Sequence, residues 1–180
     1  MVERLVERIR QKDQKAMSQL YQMYVEELSS VCYRYVPDGD DAKDVLQNSF
    51  VKIFTSLQTF EYRNEPSFRG WMIKVVVNEA LHFLRKQKRL MFADLNEAIV
   101  GQIEDVDPDP ECITADELHQ IISELPDGYR TVLNLYVFEG CSHKEIARLM
   151  GIKDSTSASQ LYYGKRLLLK KIKELMNTRP

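Results

Sequence analysis

Residues Ser142–Leu167 read SHKEIARLMGIKDSTSASQLYYGKRL. Ser142 followed by Glu145 makes a capping-box pattern, and Ile146, Ala147 and Met150 recur at helical spacing. The segment Ser142–Met150 is therefore a short helix with those three residues inward. Gly151 stands where a helix stops in a left-handed conformation. Ala147 is small enough for a second helix to cross closely, and Ile152 anchors the turn between them. This is the layout of a helix-turn-helix. In the second helix Leu161, Gly164 and Leu168 form the buried stripe. Ser155, Ala158, Ser159, Tyr162 and Arg166 are left on the other side. Hydroxyls and a cation on one face suit phosphates and base edges in a major groove. Lys165, Arg166, Lys170, Lys171 and Lys173 add phosphate-neutralising charge. The alternative from this segment alone is a solvated amphipathic helix whose basic end complements its dipole.

Upstream, PDGYRTVLNLYVFEG (Pro126–Gly140) opens with a proline suited to a first helical turn and closes at a glycine. Thr114 with Glu117 is a second capping box. Before it, NEAIVGQIEDVDPDPEC (Asn96–Cys112) breaks the helical pattern with two prolines and a cluster of acids, as a linker without its own core does. Three helical stretches precede that linker. Asp13–Val36 places Met17, Leu20, Tyr21, Tyr24, Leu28 and Val31 at helical spacing. PDGDD is a turn, and Asp41–Phe60 is a helix with Val45, Leu46, Phe50, Ile53 and Phe54 inward. Glu61–Phe68 reads as a loop. Ser67–Leu90 is a long helix despite its β-prone KVVV, with Ile73, Val77, Ala80 and Leu84 buried. The opposite stripe carries Trp71, Lys74, Asn78, His82, Arg85 and Arg89. Aromatic, amide and cationic groups in one row form a track for a DNA strand. The fold expected is all-α, with two small helical domains joined by an acidic linker and a helix-turn-helix in the second.

The charge pattern agrees. The 180 residues hold 25 Lys and Arg against 27 Asp and Glu, a net charge of only −2. Ten of the acids lie between Met91 and Leu125, where no Lys or Arg occurs. The rest of the chain sets 25 cations against 17 acids, a balance of +8. Two basic parts flank an acidic one. No apolar run reaches membrane-spanning length, and the charged MVERLVERIRQKDQ has no signal-peptide core, so no membrane insertion is expected. Cys32, Cys112 and Cys141 are odd in number and dispersed, which suits packing in a reducing cytoplasm.

At this point the motifs become specific. LPDGYRTVLNLYVFEGCSHKEIARLMGIKDSTSASQLYYGKRLLLKKI resembles the promoter −35-binding domain of extracytoplasmic-function (ECF) sigma factors, the two-domain initiation factors of bacterial RNA polymerase. DAKDVLQNSFVKIF resembles the family's core-binding helix, and SFRGWMIKVVVNEALHFLRKQKR its −10 element segment. The likeness covers nearly the whole chain in the family's order. It implies a region 2-like domain over residues 1–93, a linker over 94–113 and a region 4-like domain over 114–180.

The resemblance also assigns roles. Phe60, Ser67, Trp71, Lys74, Asn78, Arg85, Lys86, Lys88 and Arg89 would hold the opened −10 element, with Phe60 and the loop Glu61–Ser67 matching the pocket for a base turned out of the stack. Ser155, Ser159, Tyr162, Tyr163, Lys165 and Arg166 would read the −35 element. Asp41, Asp44, Gln47 and Asn48 lie where the family docks on core RNA polymerase, although acids in a first helical turn are stabilising in any case. Promoter DNA and core polymerase are the implied partners. An anti-sigma factor is common in the family, and no residue here specifies one. Some positions depart from the family pattern. Ser157 stands where an apolar residue is usual, Ala158 where a basic one is common, and Gln160 where Arg is. Lys153 replaces a serine cap, leaving Asp154 or Ser155 to cap the recognition helix.

Two other readings stay open. One is a helix-turn-helix activator whose first domain binds a protein, which the Trp71–Arg89 stripe argues against. The other is a nucleic-acid enzyme. No Gly-rich phosphate loop, H-E-x-x-H or cysteine-pair motif is present, and His82, His119 and His143 are scattered without a catalytic partner. Asp105, Asp107 and Asp109 alternate like a calcium loop, but Pro110 stands where that loop needs glycine. No catalytic residue, cofactor or metal is expected.

Overall fold

The computed structural model describes residues 1–87 and 113–178. The regular elements among them are all helical: α1 (Val2–Arg10), α2 (Gln14–Tyr35), α3 (Gly39–Ser56), α4 (Glu65–Lys86), α5 (Ala115–Ser123), α6 (Asp127–Val137), α7 (His143–Met150) and α8 (Asp154–Asn177). Two compact units emerge, Met1–Phe83 and Leu84–Pro180, divided within the last turn of α4. The expected linker lies outside the described residues, apart from Ile113.

In the first unit, α1 was not foreseen as a helix. Val2, Leu5, Val6 and Ile9 recur at i, i+3, i+4 and i+7 and are all buried. Each such burial contributes about 1.5–3 kcal/mol, which offsets the charge density of the other face. α1 packs on α2 across a tight corner. There Lys12 takes a left-handed φ of 63°, Arg8 pairs with Asp13 at 2.7 Å, and Asp13 caps α2 by accepting from the Lys15 and Ala16 amides.

In α2, Leu20, Tyr24, Leu28 and Val31 are buried as expected. Met17 is half-buried, and Tyr21 stays exposed while its ring leans on Phe50 at 4.6 Å. Asp38 caps α3 through the Asp40 and Asp41 amides, which starts the helix at Gly39, and the helix ends at Ser56. Val45, Leu46, Phe50 and Ile53 are buried, with Phe54 half-buried. Phe60 thus lies beyond the helix rather than in it.

α4 begins at Glu65, two residues before the expected start, because the Asn64 side chain accepts from the Ser67 amide at 2.9 Å. Pro66 sits in the first turn, where its missing N–H costs nothing. The buried face is Phe68, Met72, Val76, Val77, Ala80, Leu81 and Leu84. The expected row through Ile73 is corrected by one position: Ile73 is half-buried, and Met72 and Val76 lie in the core. Two neighbouring rows share Ala80 and Leu84, and a 3.6-residue period alone does not choose between them.

The second unit is organised around α8, which packs on α5, α6 and α7. Both expected capping boxes form, at Thr114–Glu117 and Ser142–Glu145. Arg130 is buried and donates to the carbonyls of Ser123 (3.2 Å) and Leu125 (2.6 Å) while pairing with Asp127. It thereby satisfies carbonyls left open where α5 ends. Gly164 is buried where α8 packs on α6, and a Cβ there would meet the Tyr129 Cβ at 3.4 Å, a van der Waals contact.

Candidate nucleic-acid interface

The first candidate surface is the outer face of α4 and the turn before it. Phe60 and Trp71 are both half-buried, with ring centroids 4.3 Å apart and planes tilted by 31°. Phe68, fully buried, lies 5.5 Å from Phe60 and 5.7 Å from Trp71. Tyr62 at 5.8 Å and Tyr24 at 6.1 Å also reach the Phe68 ring. Trp71 is therefore neither core nor free: its inner side rests on an aromatic cluster and its outer side meets solvent. Burial, and then the Glu65 carboxylate, push the Tyr24 phenol up to about 12. Ser67, Lys74, Asn78, His82, Arg85 and Lys86 are exposed along the same helix. Lys88 and Arg89 lie outside the described residues.

Beside Phe60 a cavity of about 500 Å³ opens, lined by Glu3, Glu7, Arg10, Phe60, Tyr62 and Arg63 among others. Arg10 was not among the residues singled out from sequence, and Tyr62 entered only as part of the loop Glu61–Ser67. Tyr62 carries a usable signal, as an aromatic between Phe60 and Phe68. Arg10 carries none, because its partners are about fifty positions away.

The second surface is the helix-turn-helix formed by α7 and α8. Ile146, Ala147 and Met150 are buried, and Gly151 ends α7 at φ 70° and ψ 35°. The Ile152 amide donates back to Ala147 at 3.0 Å. The recognition helix has Lys153 at its N-cap with no side-chain cap, so neither Asp154 nor Ser155 takes that role. Asp154 instead sits in the first turn, where its charge complements the dipole. Ser157 is buried with its Oγ 3.0 Å from His143 Nδ1. This partner explains how a serine stands at a usually apolar position. Tyr136 stacks on that imidazole at 5.1 Å. Leu161, Gly164 and Gln160 are buried; Leu168 is only half-buried.

On the outer face of α8, Ser155, Ala158, Tyr162 and Lys165 are exposed, and Ser159, Tyr163 and Arg166 are half-buried. Arg166 Nη1 donates to the Tyr162 hydroxyl at 2.6 Å, and its guanidinium lies 5.5 Å from that ring's centroid. Tyr163 meets Tyr162 edge-on at 5.3 Å. The Ser159 hydroxyl donates to the Ser155 carbonyl at 2.9 Å, which leaves its oxygen as an acceptor for a base amine. The Lys165 ammonium lies 5.7 Å from the Tyr136 ring centroid.

The third surface is on α3. Asp44, Gln47 and Asn48 are exposed on successive turns, and Asp41 is half-buried at the helix start. Val51 completes the same face and is 63% exposed, an apolar centre that sequence reasoning passed over.

Two family models match successive parts of the chain. The family model described as Sigma-70 region 2 matches residues 20–90, and that described as Sigma-70, region 4 matches residues 115–168. The chain is 31% identical to the ECF RNA polymerase sigma-E factor of Haemophilus influenzae over 96% of its length and 95% of that protein. It is 30% identical to the sigma-E factor of Escherichia coli K12, covering 96% of this chain and 94% of that one. Two solved structures share the fold at 18% identity. One is CnrH in complex with the cytosolic domain of CnrY (TM-score 0.50, covering 94% of this chain and 96% of that one). The other is the sigma factor RpoE of Bartonella quintana in complex with the anti-sigma factor NepR (TM-score 0.51, 92% and 99%). No described helix is long and apolar enough to cross a membrane.

Proposed function

The chain belongs to the ECF family of RNA polymerase sigma factors, and from that premise we propose how its three surfaces divide the work. The α3 face carrying Asp44, Gln47, Asn48 and Val51 docks on core RNA polymerase. The α4 face and the Phe60–Trp71 pair hold the single strand of the opened −10 element. The outer face of α8 reads the −35 element in the major groove. Residues 1–93 and 114–180 act as the two domains, and the acidic stretch 94–113 tethers them. The chain catalyses nothing itself: it directs the polymerase to its promoters in the cytoplasm and assists their opening. An anti-sigma protein is the class of regulator that goes with this reading.

The observation that carries it is α4, which presents Lys74, Asn78, His82 and Arg85 to solvent in line with a tryptophan set on an aromatic bed. Bases stack on such a platform while cations follow the backbone. A helix-turn-helix activator has no need of a single-strand track.

Run-off transcription on a library of promoter fragments, with purified bacterial core polymerase and with or without this protein, tests the reading. A specific start that appears only with the protein is expected. Stimulation that still requires another sigma factor would show an activator instead.

A further inference from the structure

α1 lies outside the residues matched by the region 2 family model, yet one of its side chains reaches the base-stacking pair. Arg10 Nε donates to the Leu57 carbonyl at 3.0 Å, and Arg10 Nη2 donates to the Phe60 carbonyl. In return, Gln58 Nε2 donates to the Arg10 carbonyl at 3.4 Å. One guanidinium thus closes the turn that follows α3. That turn has an electrostatic need, because α3 has no basic residue in its last turn and Leu57 is its C-cap. Arg10 supplies from another helix the positive charge that the end of α3 lacks.

The base of this arm is rigid. Ile9, next in sequence, is fully buried, and the Arg8–Asp13 pair with left-handed Lys12 locks the corner behind it. The peptide unit Arg10 holds belongs to Phe60, whose ring lies on Trp71. We propose that Arg10 is a positioning residue for capture of the opened strand: it touches no base, but sets the Phe60–Trp71 stacking edge by fixing the Phe60 backbone. The proposal rests on the role given above to that pair. It differs from a simple brace, which would hold the whole unit together and affect every function of it equally.

Trp71 is the sole tryptophan, so its emission reports on the pair directly. Arg10→Ala and Arg10→Lys are compared with the parent in two measurements. The first is emission and acrylamide quenching of Trp71 in the free full-length chain. The second is the rate of −10 opening, read by permanganate reactivity, in holoenzyme on the template selected by run-off transcription, alongside affinity for core polymerase. Arg10→Ala is expected to shift Trp71 emission and slow opening about ten-fold, the factor to which the low end of one charge-assisted hydrogen bond's free energy corresponds, with core affinity unchanged. Arg10→Lys keeps the charge and one donor and should fall between; it carries the comparison if the alanine variant does not fold. Unchanged emission and opening would overturn the proposal, as would an equal loss of opening and core affinity. If the parent protein supports no specific start, the sigma-factor assignment of the surfaces fails. Trp71 emission still decides whether Arg10 sets the pair.

Discussion

The Phe60 ring lies on the Trp71 indole at 4.3 Å between centroids, although the two residues belong to different local structures, a turn and a helix. Phe68 beneath them is fully buried and touches both. The half-buried pair is thereby held as a platform while its outer side stays available. Aromatic contacts of this kind add about 0.5–1.5 kcal/mol beyond burial.

Replacing Trp71 with Ala should weaken capture of a single-stranded −10 oligonucleotide by holoenzyme by about 1–3 kcal/mol, the value of one base stack. Binding of a −35 duplex should not change. Phe68→Ala should instead cost about 3–5 kcal/mol of stability in urea unfolding, because it empties the bed under the platform. Equal loss of −10 and −35 binding in Trp71→Ala would place the tryptophan outside the strand track.

On the recognition helix, Arg166 leans on Tyr162 and donates to its hydroxyl. Arg166→Ala should lower holoenzyme affinity for a −35 duplex and flatten its log–log salt dependence by about one unit, as expected for one lost phosphate contact. Tyr162→Phe should keep the salt slope and change only the preference among −35 sequences. A titration of duplex binding across a potassium chloride series reads both. An unaltered slope in Arg166→Ala would remove that residue from the phosphate contacts.

The Ser157–His143 hydrogen bond ties the two helices of the helix-turn-helix together. Ser157→Ala should destabilise the protein by about 1 kcal/mol, since the imidazole loses its partner. Changing both residues to apolar ones, Ser157→Val with His143→Leu, should recover most of that loss, because no polar group is then left without a partner. Urea unfolding of Ser157→Val, His143→Leu and the double variant closes the cycle. Additive losses would show that the pair does not couple.

Tyr24 gives a pH dependence of known sign. Its phenol titrates near 12 in the folded protein against an ordinary value of 10.0, so folding favours the protonated form. Its contribution is complete below pH 10 and is lost as pH rises through 12. Thermal unfolding measured across that range should show the parent losing stability more steeply than Tyr24→Phe, which has no proton to release. Parallel curves would mean that the phenol is not held neutral by its surroundings.

Much of this protein was written in short windows. The Thr114–Glu117 and Ser142–Glu145 caps, the left-handed Gly151 and the inward Ile146, Ala147 and Met150 are local signals, and each is present in the fold. Exposure of Lys74, Asn78, His82 and Arg85 on one helix follows in the same way from the 3.6-residue period. The period did not distinguish the Ile73 row of α4 from its neighbour, because adjacent rows are almost equally apolar there. α1 escaped notice because its charges outnumber the four buried aliphatics that make it a helix.

The amino-acid order by itself determined the helical class, the helix-turn-helix and the segregation of charge, because spacing, caps and turn residues act within a few positions of one another. Tertiary structure alone decided that Ser157 finds His143, that Trp71 rests on Phe60, and that Arg10 grips the turn carrying Phe60. Those pairings depend on which helix faces which. That choice is made by the buried faces of whole elements packing together, and no local window contains it.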